Sequence, residues 1–225
     1  MKRFLEDNFI TNLIFNTLII FIIEVLFKAL NNFNILSYST LRIFFSSLIF
    51  GIIITFISNL FKKRKVRTIL TLIFIFLYTV YCWLQLGFIN FLGVYISFHT
   101  SNQFGAVVDY IKDYLTTFKW TYHLIYIPFI LSILYYIYLK KKDTYSKINF
   151  NKKYFILLGV FVLSFVSYYL TLKLDFMQNK FQTKSNLALI KNPSVPTIAV
   201  HEFGPVVFGL VDLKTMIFAN SILES

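Results

Sequence analysis

The side chains of this 225-residue chain that could take part in chemistry are few and dispersed. The histidines His99, His123 and His201 stand far apart. The single cysteine, Cys82, lies inside an apolar stretch, where it reads as a small buried hydrophobe with no partner for an intrachain disulfide. His201-Glu202 lacks the second histidine that a zinc-protease helix places one turn on. No Cys or His cluster has zinc spacing, and neither a phosphate-binding loop nor a nucleophile elbow occurs. Two groupings remain. Asp109 and Asp113 are one helical turn apart with Lys112 between them, an arrangement that could hold a metal or a polar headgroup; the plainer reading is a solvated helix face with balanced charges. Glu24 sits within an apolar stretch, where ionisable groups are costly and face a bundle interior or a cavity. Lys28 follows at i+4, so the spacing predicts an ion pair, a lysine that snorkels outward and a structural or topological role. The residues themselves assign no catalytic group, no cofactor site and no metal site.

The elements that must position these groups belong to a membrane domain. Composition is 57% hydrophobic, 20% aromatic and only 14% charged, well outside the soluble globular range. A formal charge of +12 would fit a nucleic-acid binder if the bases gathered on one solvent face. They fall instead between apolar runs, so nucleic acid is excluded as a partner and the lipid bilayer takes its place. Since a hydrocarbon core needs about 20 apolar residues per helix, the runs at about 9–30, 41–61, 68–90, 122–139 and 154–172 predict five transmembrane helices. The expected fold is therefore an all-α integral membrane protein. The first run, with no small-residue cleavage site after it, reads as an uncleaved signal anchor. The third stays apolar past Phe88 towards Phe98, which exceeds one crossing, so its far end is expected to tilt, emerge or lie along the interface. Gly51 and Pro128 are expected to permit close packing or a kink of their spans.

Orientation follows from the basic residues, which are retained on the cytoplasmic side. With the N-terminus inside, the inner segments carry Lys2, Arg3, the 62–67 cluster, Lys140, Lys141, Lys142, Lys147, Lys152 and Lys153. The outer loops and their margins carry only Lys28, Arg42, Lys112 and Lys119. Five crossings then leave residues 173–225 outside the cell membrane. In the second outer loop, Phe104, Val107, Val108, Ile111, Leu115 and Phe118 recur at helical spacing opposite Asp109, Lys112, Asp113 and Thr116. Thr100 and Gln103 resemble a capping box. The pattern predicts an external amphipathic helix on the outer leaflet. In the tail, Asn192-Pro193-Ser194-Val195-Pro196 breaks a polar stretch, and 201–214 reads as a loop entering a short amphipathic helix with Pro205 in its first turn.

Phe203-Gly204, Phe208 and Asp212 in this juxtamembrane stretch, together with Gly105 to Trp120 before the fourth span, resemble the lipoteichoic acid synthase family, phosphoglycerol transferases with a sulfatase-like extracellular domain. The resemblance covers essentially the whole chain, through loose motifs. It implies a five-span membrane domain with a cytoplasmic N-terminus and an extracellular linker, ending before the catalytic domain that carries the metal-bound threonine nucleophile. Manganese or another divalent metal is expected only in that absent domain, no catalytic residue carries over to this chain, and neither Thr197 nor Thr215 takes the nucleophile's role. On this reading the chain anchors a downstream or separately encoded sulfatase-like domain at the outer leaflet, is inactive by itself, and has Asp109, Lys112, Asp113, Phe203, Gly204 and Asp212 as its headgroup or junction residues. The alternative is a complete small integral protein, a transporter component or membrane scaffold whose tail binds a partner. Transporters built from repeats show internal symmetry, and none is visible here.

Overall fold

The computed structural model describes residues 8–61, 63–97, 116–141, 150–174, 186–191 and 195–223. All elements among them are helical. They are α1 (Asn8–Leu30), α2 (Tyr38–Asn59), α3 (Arg64–Leu92), a 3-10 helix (Trp120–Tyr126) running into α4 (Ile127–Lys141), α5 (Phe150–Leu174), the short α6 (Asn186–Lys191) and α7 (Pro196–Leu223). Five helices are long and apolar enough to cross a membrane, the fourth combining the 3-10 turn with α4. The all-α integral membrane fold expected from the apolar runs is the fold observed. The amphipathic helix expected over 103–118, with Asp109, Lys112 and Asp113, lies almost wholly outside the described residues.

Helix ends follow local chemistry. α1 has neither Gly nor Pro over 23 residues and stops where Asn32 turns left-handed at φ 57. There Phe33 N–H donates to the Lys28 carbonyl at 2.9 Å and Asn32 N–H to that of Ala29 at 3.1 Å, the paired bonds of a Schellman cap. α3 does not continue towards Phe98. Gly93, at φ 71, closes it with a bond from its N–H to the Ile89 carbonyl, a conformation that costs a residue with a Cβ about 1–2 kcal/mol. The chain then folds back on its own helix, because the Gln85 amide donates to the Ile96 carbonyl (2.8 Å) and accepts from its N–H (3.0 Å).

α1 is the most buried span, whereas the fourth and fifth are largely exposed, as expected for helices facing lipid. At Gly51 of α2 a Cβ would lie 2.3 Å from the Thr17 hydroxyl of α1 and 2.9 Å from its Cα. The two backbones are therefore as close as a glycine allows, the small-residue packing common in membrane bundles. At the Arg67 end, interhelical bonds join the spans: Asn16 to Thr55 (3.0 Å), Ser58 to Thr71 (2.8 Å) and Arg67 to Asn59 (3.1 Å). The main core unites Ile23 and Phe27 of α1, Cys82 and Leu86 of α3, Ile125, Tyr168 and Leu172 with Ala199, Val200, Phe203 and Phe208 of α7. The tail is thus part of the bundle's core. It is more extensively helical than the expected loop and short helix, because Ala199, Val200 and Phe203, at and just before the start of the expected loop, are apolar residues at helical spacing that bury themselves.

Candidate functional site

The functional features converge where α7 meets the bundle. α7 is two helical stretches, 196–203 and 205–223, joined at Gly204, whose φ of 80 and ψ of 164 are non-helical. That backbone region is essentially reserved for glycine. Pro205 opens the second stretch, where its missing N–H removes nothing and its fixed φ suits the first turn. The next free N–H, that of Val206, points back at α1 and donates to Glu24 Oε1 at 3.3 Å. Glu24, wholly buried, also accepts from the Tyr78 hydroxyl of α3 at 2.5 Å. An acid on one helix thus caps the N-terminus of another, serving an orphan donor and the positive end of its dipole. Gly204 is in turn pressed against this carboxyl, since a Cβ there would lie 2.2 Å from Glu24 Oε2.

A second contact lies one turn earlier on α7. Glu202 Oε2 accepts from the Arg42 guanidinium of α2, and both side chains are buried. Glu202 Oε1 sits 2.9 Å from His201 Nδ1, and the His201 ring meets Phe33 edge-on at 4.8 Å. Phe203 places its ring 5.9 Å from the Arg42 carbon centre, a cation–π arrangement. Burial opposes ionisation of Glu202, but the hydrogen bond with His201 and the charge of Arg42 outweigh it and hold the carboxyl below its ordinary value of 4.5. A third contact lies further along, where the Ser97 hydroxyl donates to Asp212 Oδ1 and Asp212 is 2% exposed. Between these points Gly209 rests on Tyr81, with the phenolic oxygen 2.8 Å from where a Cβ would be.

Lys28 departs from the expected arrangement. It does not snorkel and makes no ion pair with Glu24. Its fully buried ammonium donates instead to Ser37 (3.1 Å), Ser39 (2.5 Å) and Thr40 (3.0 Å). The i,i+4 spacing permits the pair, but the hydroxyl-rich α1–α2 turn offers Lys28 three acceptors, and Tyr78 with Val206 N–H offers Glu24 two donors. Thr40 relays its own proton to the Ile35 carbonyl and Ser37 to that of Asn34. Lys28 therefore fastens the turn from which α2 and Arg42 begin.

Of the residues singled out from sequence, Phe203, Gly204 and Asp212 lie on α7 and all face the bundle. Arg42, Glu202, Tyr78 and Ser97 were not singled out for this site. In the sequence Arg42 reads only as a loop-margin charge, and Glu202 only as half of an incomplete zinc motif. A usable signal existed: Glu24 lies within an apolar span and Lys28 and Arg42 at the margins of two, and buried charges need partners. The tail acids Glu202 and Asp212 are candidates to supply them. Among the described residues no group of three His, Cys, Asp or Glu side chains is placed to hold a metal. The site's evident chemistry is that of a polar clamp, holding a helix break against three spans. No protein-family profile, curated protein or solved structure matches this chain.

Proposed function

We propose that the chain is a membrane anchor whose docked tail serves as the seat for an external catalytic domain acting on lipid headgroups, like the membrane domain of a lipoteichoic acid synthase-like phosphoglycerol transferase. The observation that carries this reading is the clamp on α7. A passive tether needs no buried ion pair, interhelical cap or glycine break, whereas all three suit an element that fixes the position and angle of a following domain. Docking removes the freedom of the tail before any substrate arrives, and pre-paid orientation is a large part of catalysis at a surface. On this reading Glu24, Arg42 and Ser97 are positioning residues, the Lys28 end of the bundle faces outward, and this chain alone turns nothing over.

The test is a fusion. A phosphoglycerol-transferase catalytic domain joined after Ser225 is reconstituted in phosphatidylglycerol vesicles, and diacylglycerol release is compared with the same domain on an unrelated single-span anchor. The expected result is faster release from the five-span fusion, reduced towards the single-span rate by Arg42→Ala, with activity on a soluble phosphodiester unchanged. Equal release from both anchors would refute a positioning role. Turnover by residues 1–225 alone would show that an active site lies within the chain.

A further inference from the structure

Beneath the second stretch of α7, between α2 and α3, lies a groove of about 390 Å³. Its walls include Ile53 and Ile57 of α2, Phe74 and Leu77 of α3, and Leu210 and Leu213 of α7. At its head Tyr78 turns its hydroxyl away to Glu24. The groove exists for a structural reason. α7 already touches α3 as closely as a glycine permits, at Gly209 on the Tyr81 hydroxyl, so the apolar faces below cannot close by moving the helix nearer. Its mouth is contributed by all three helices, since Ile53 (37%), Leu77 (58%), Leu210 (51%) and Leu213 (37%) are exposed. Leu210, Leu213 and Ile217, which is also exposed, form one stripe along α7 at i, i+3 and i+7.

The surroundings decide what fills such a space. α2 and α3 are two of the five helices suited to crossing a bilayer, so the mouth between them opens on hydrocarbon. An apolar cavity of this kind stays dry. A partner helix is too thick: one turn, about 10 Å across and 5.4 Å long, already needs roughly 400 Å³, the whole of the groove. A slender flexible chain fits, and the volume is in the range of about 300–1,000 Å³ typical of small-ligand sites. We propose that this groove holds the acyl chain of a bilayer phospholipid, wedged under α7 between α2 and α3. The chain fills the space that the Gly209–Tyr81 contact holds open, so lipid is a component of the seat on which the tail rests. This inference stands on the groove and the fold, and does not depend on a following catalytic domain.

The experiment uses the full chain in vesicles of phosphatidylcholine and phosphatidylglycerol, doped with a phosphatidylcholine that carries a diazirine midway along one acyl chain. After irradiation, adducts are mapped by peptide mass spectrometry. Adducts are expected at Ile57, Phe74 and Leu213 at several-fold the frequency of those at Leu163 and Phe165 of α5, although the latter are 68% and 57% exposed. Ile53→Trp or Leu213→Trp, each filling the groove, should reduce adducts at Phe74 several-fold while leaving those on α5 as the measure of an intact, lipid-embedded protein. Adducts spread evenly between the groove and α5 in the unmodified chain would overturn the proposal, whatever the variants do. Loss of the groove adducts on adding a small mole fraction of unlabelled polyprenyl phosphate would also overturn it, in favour of an isoprenoid occupant.

Discussion

At the scale of single residues, the tail is held by charges and a glycine that satisfy one another across the bundle. Gly204 combines a positive φ with a carboxyl oxygen where its Cβ would be, so Gly204→Ala meets two penalties at once. The backbone penalty alone is about 1–3 kcal/mol. The expected outcome is a lower melting temperature in detergent and faster protease cleavage between 196 and 217, while Gly93→Ala, at a similar φ but with open space around it, loses stability without releasing the tail. The Arg42–Glu202 pair carries a pH signature. Because the Glu202 carboxyl is held below its ordinary 4.5 in the folded protein, its stabilising contribution is fully present above that ordinary value and is lost as pH falls through the lowered one. Tail protection should therefore hold at neutral pH and fall away in acid below 4.5. Glu202→Gln should flatten this acid limb and weaken docking at neutral pH, because the buried guanidinium of Arg42 then faces a neutral amide in place of the Glu202 carboxylate. An acid limb as steep in the variant as in the parent would assign it to other carboxyls.

At the scale of elements, close approach between α1 and α2 sets the geometry that presents Glu24 and Arg42 to α7. Gly51→Ala places a methyl 2.3 Å from the Thr17 hydroxyl and 2.9 Å from its backbone, and overpacking of this kind costs about 1–3 kcal/mol. Gly159→Ala in α5 meets nothing within 4 Å and gains helix propensity of up to about 1 kcal/mol. Thermal unfolding in one detergent should lower the midpoint for the first substitution and leave it equal or raised for the second; the reverse order would contradict the packing described. The elements themselves were largely legible in the sequence. A bilayer imposes a length and a composition on each span, so five apolar runs predict five helices, and Pro205 marks the start of a helical stretch on local grounds. The end of α3 was less legible, since an apolar run continues past Gly93 and only the left-handed turn and the Gln85 clamp on Ile96 reveal the reversal. That buried charges needed partners could be read, but which residue pairs with which in the clamp on α7 could not, because Arg42 and Glu202 are 160 residues apart and no periodicity encodes a partner at that distance. The Glu24–Lys28 spacing even pointed the wrong way, since a local rule gave each residue to the other while tertiary contacts gave them to Tyr78, Val206 and the hydroxyls of the α1–α2 turn.

At the scale of the whole molecule, the chain is a bundle with its tail built into its core at the Lys28 end. On the proposed orientation, with the Lys- and Arg-rich segments inside, that end faces outward. Cys82 is fully buried, so a single introduced thiol reports on topology. A membrane-impermeant maleimide should label Leu36→Cys, at a position 92% exposed, in intact cells, and should label Lys63→Cys only after permeabilisation; the opposite pattern would invert the proposed orientation. The central claim, that α7 is docked through buried polar contacts, is tested most directly by hydrogen–deuterium exchange of the purified chain in lipid nanodiscs. Amides from Ala199 to Phe208, including the Val206 N–H held by Glu24, should exchange as slowly as those in the middle of α3, and Arg42→Ala should accelerate them while leaving α3 protected. Exchange of this segment at unprotected rates in the unmodified chain would contradict the account.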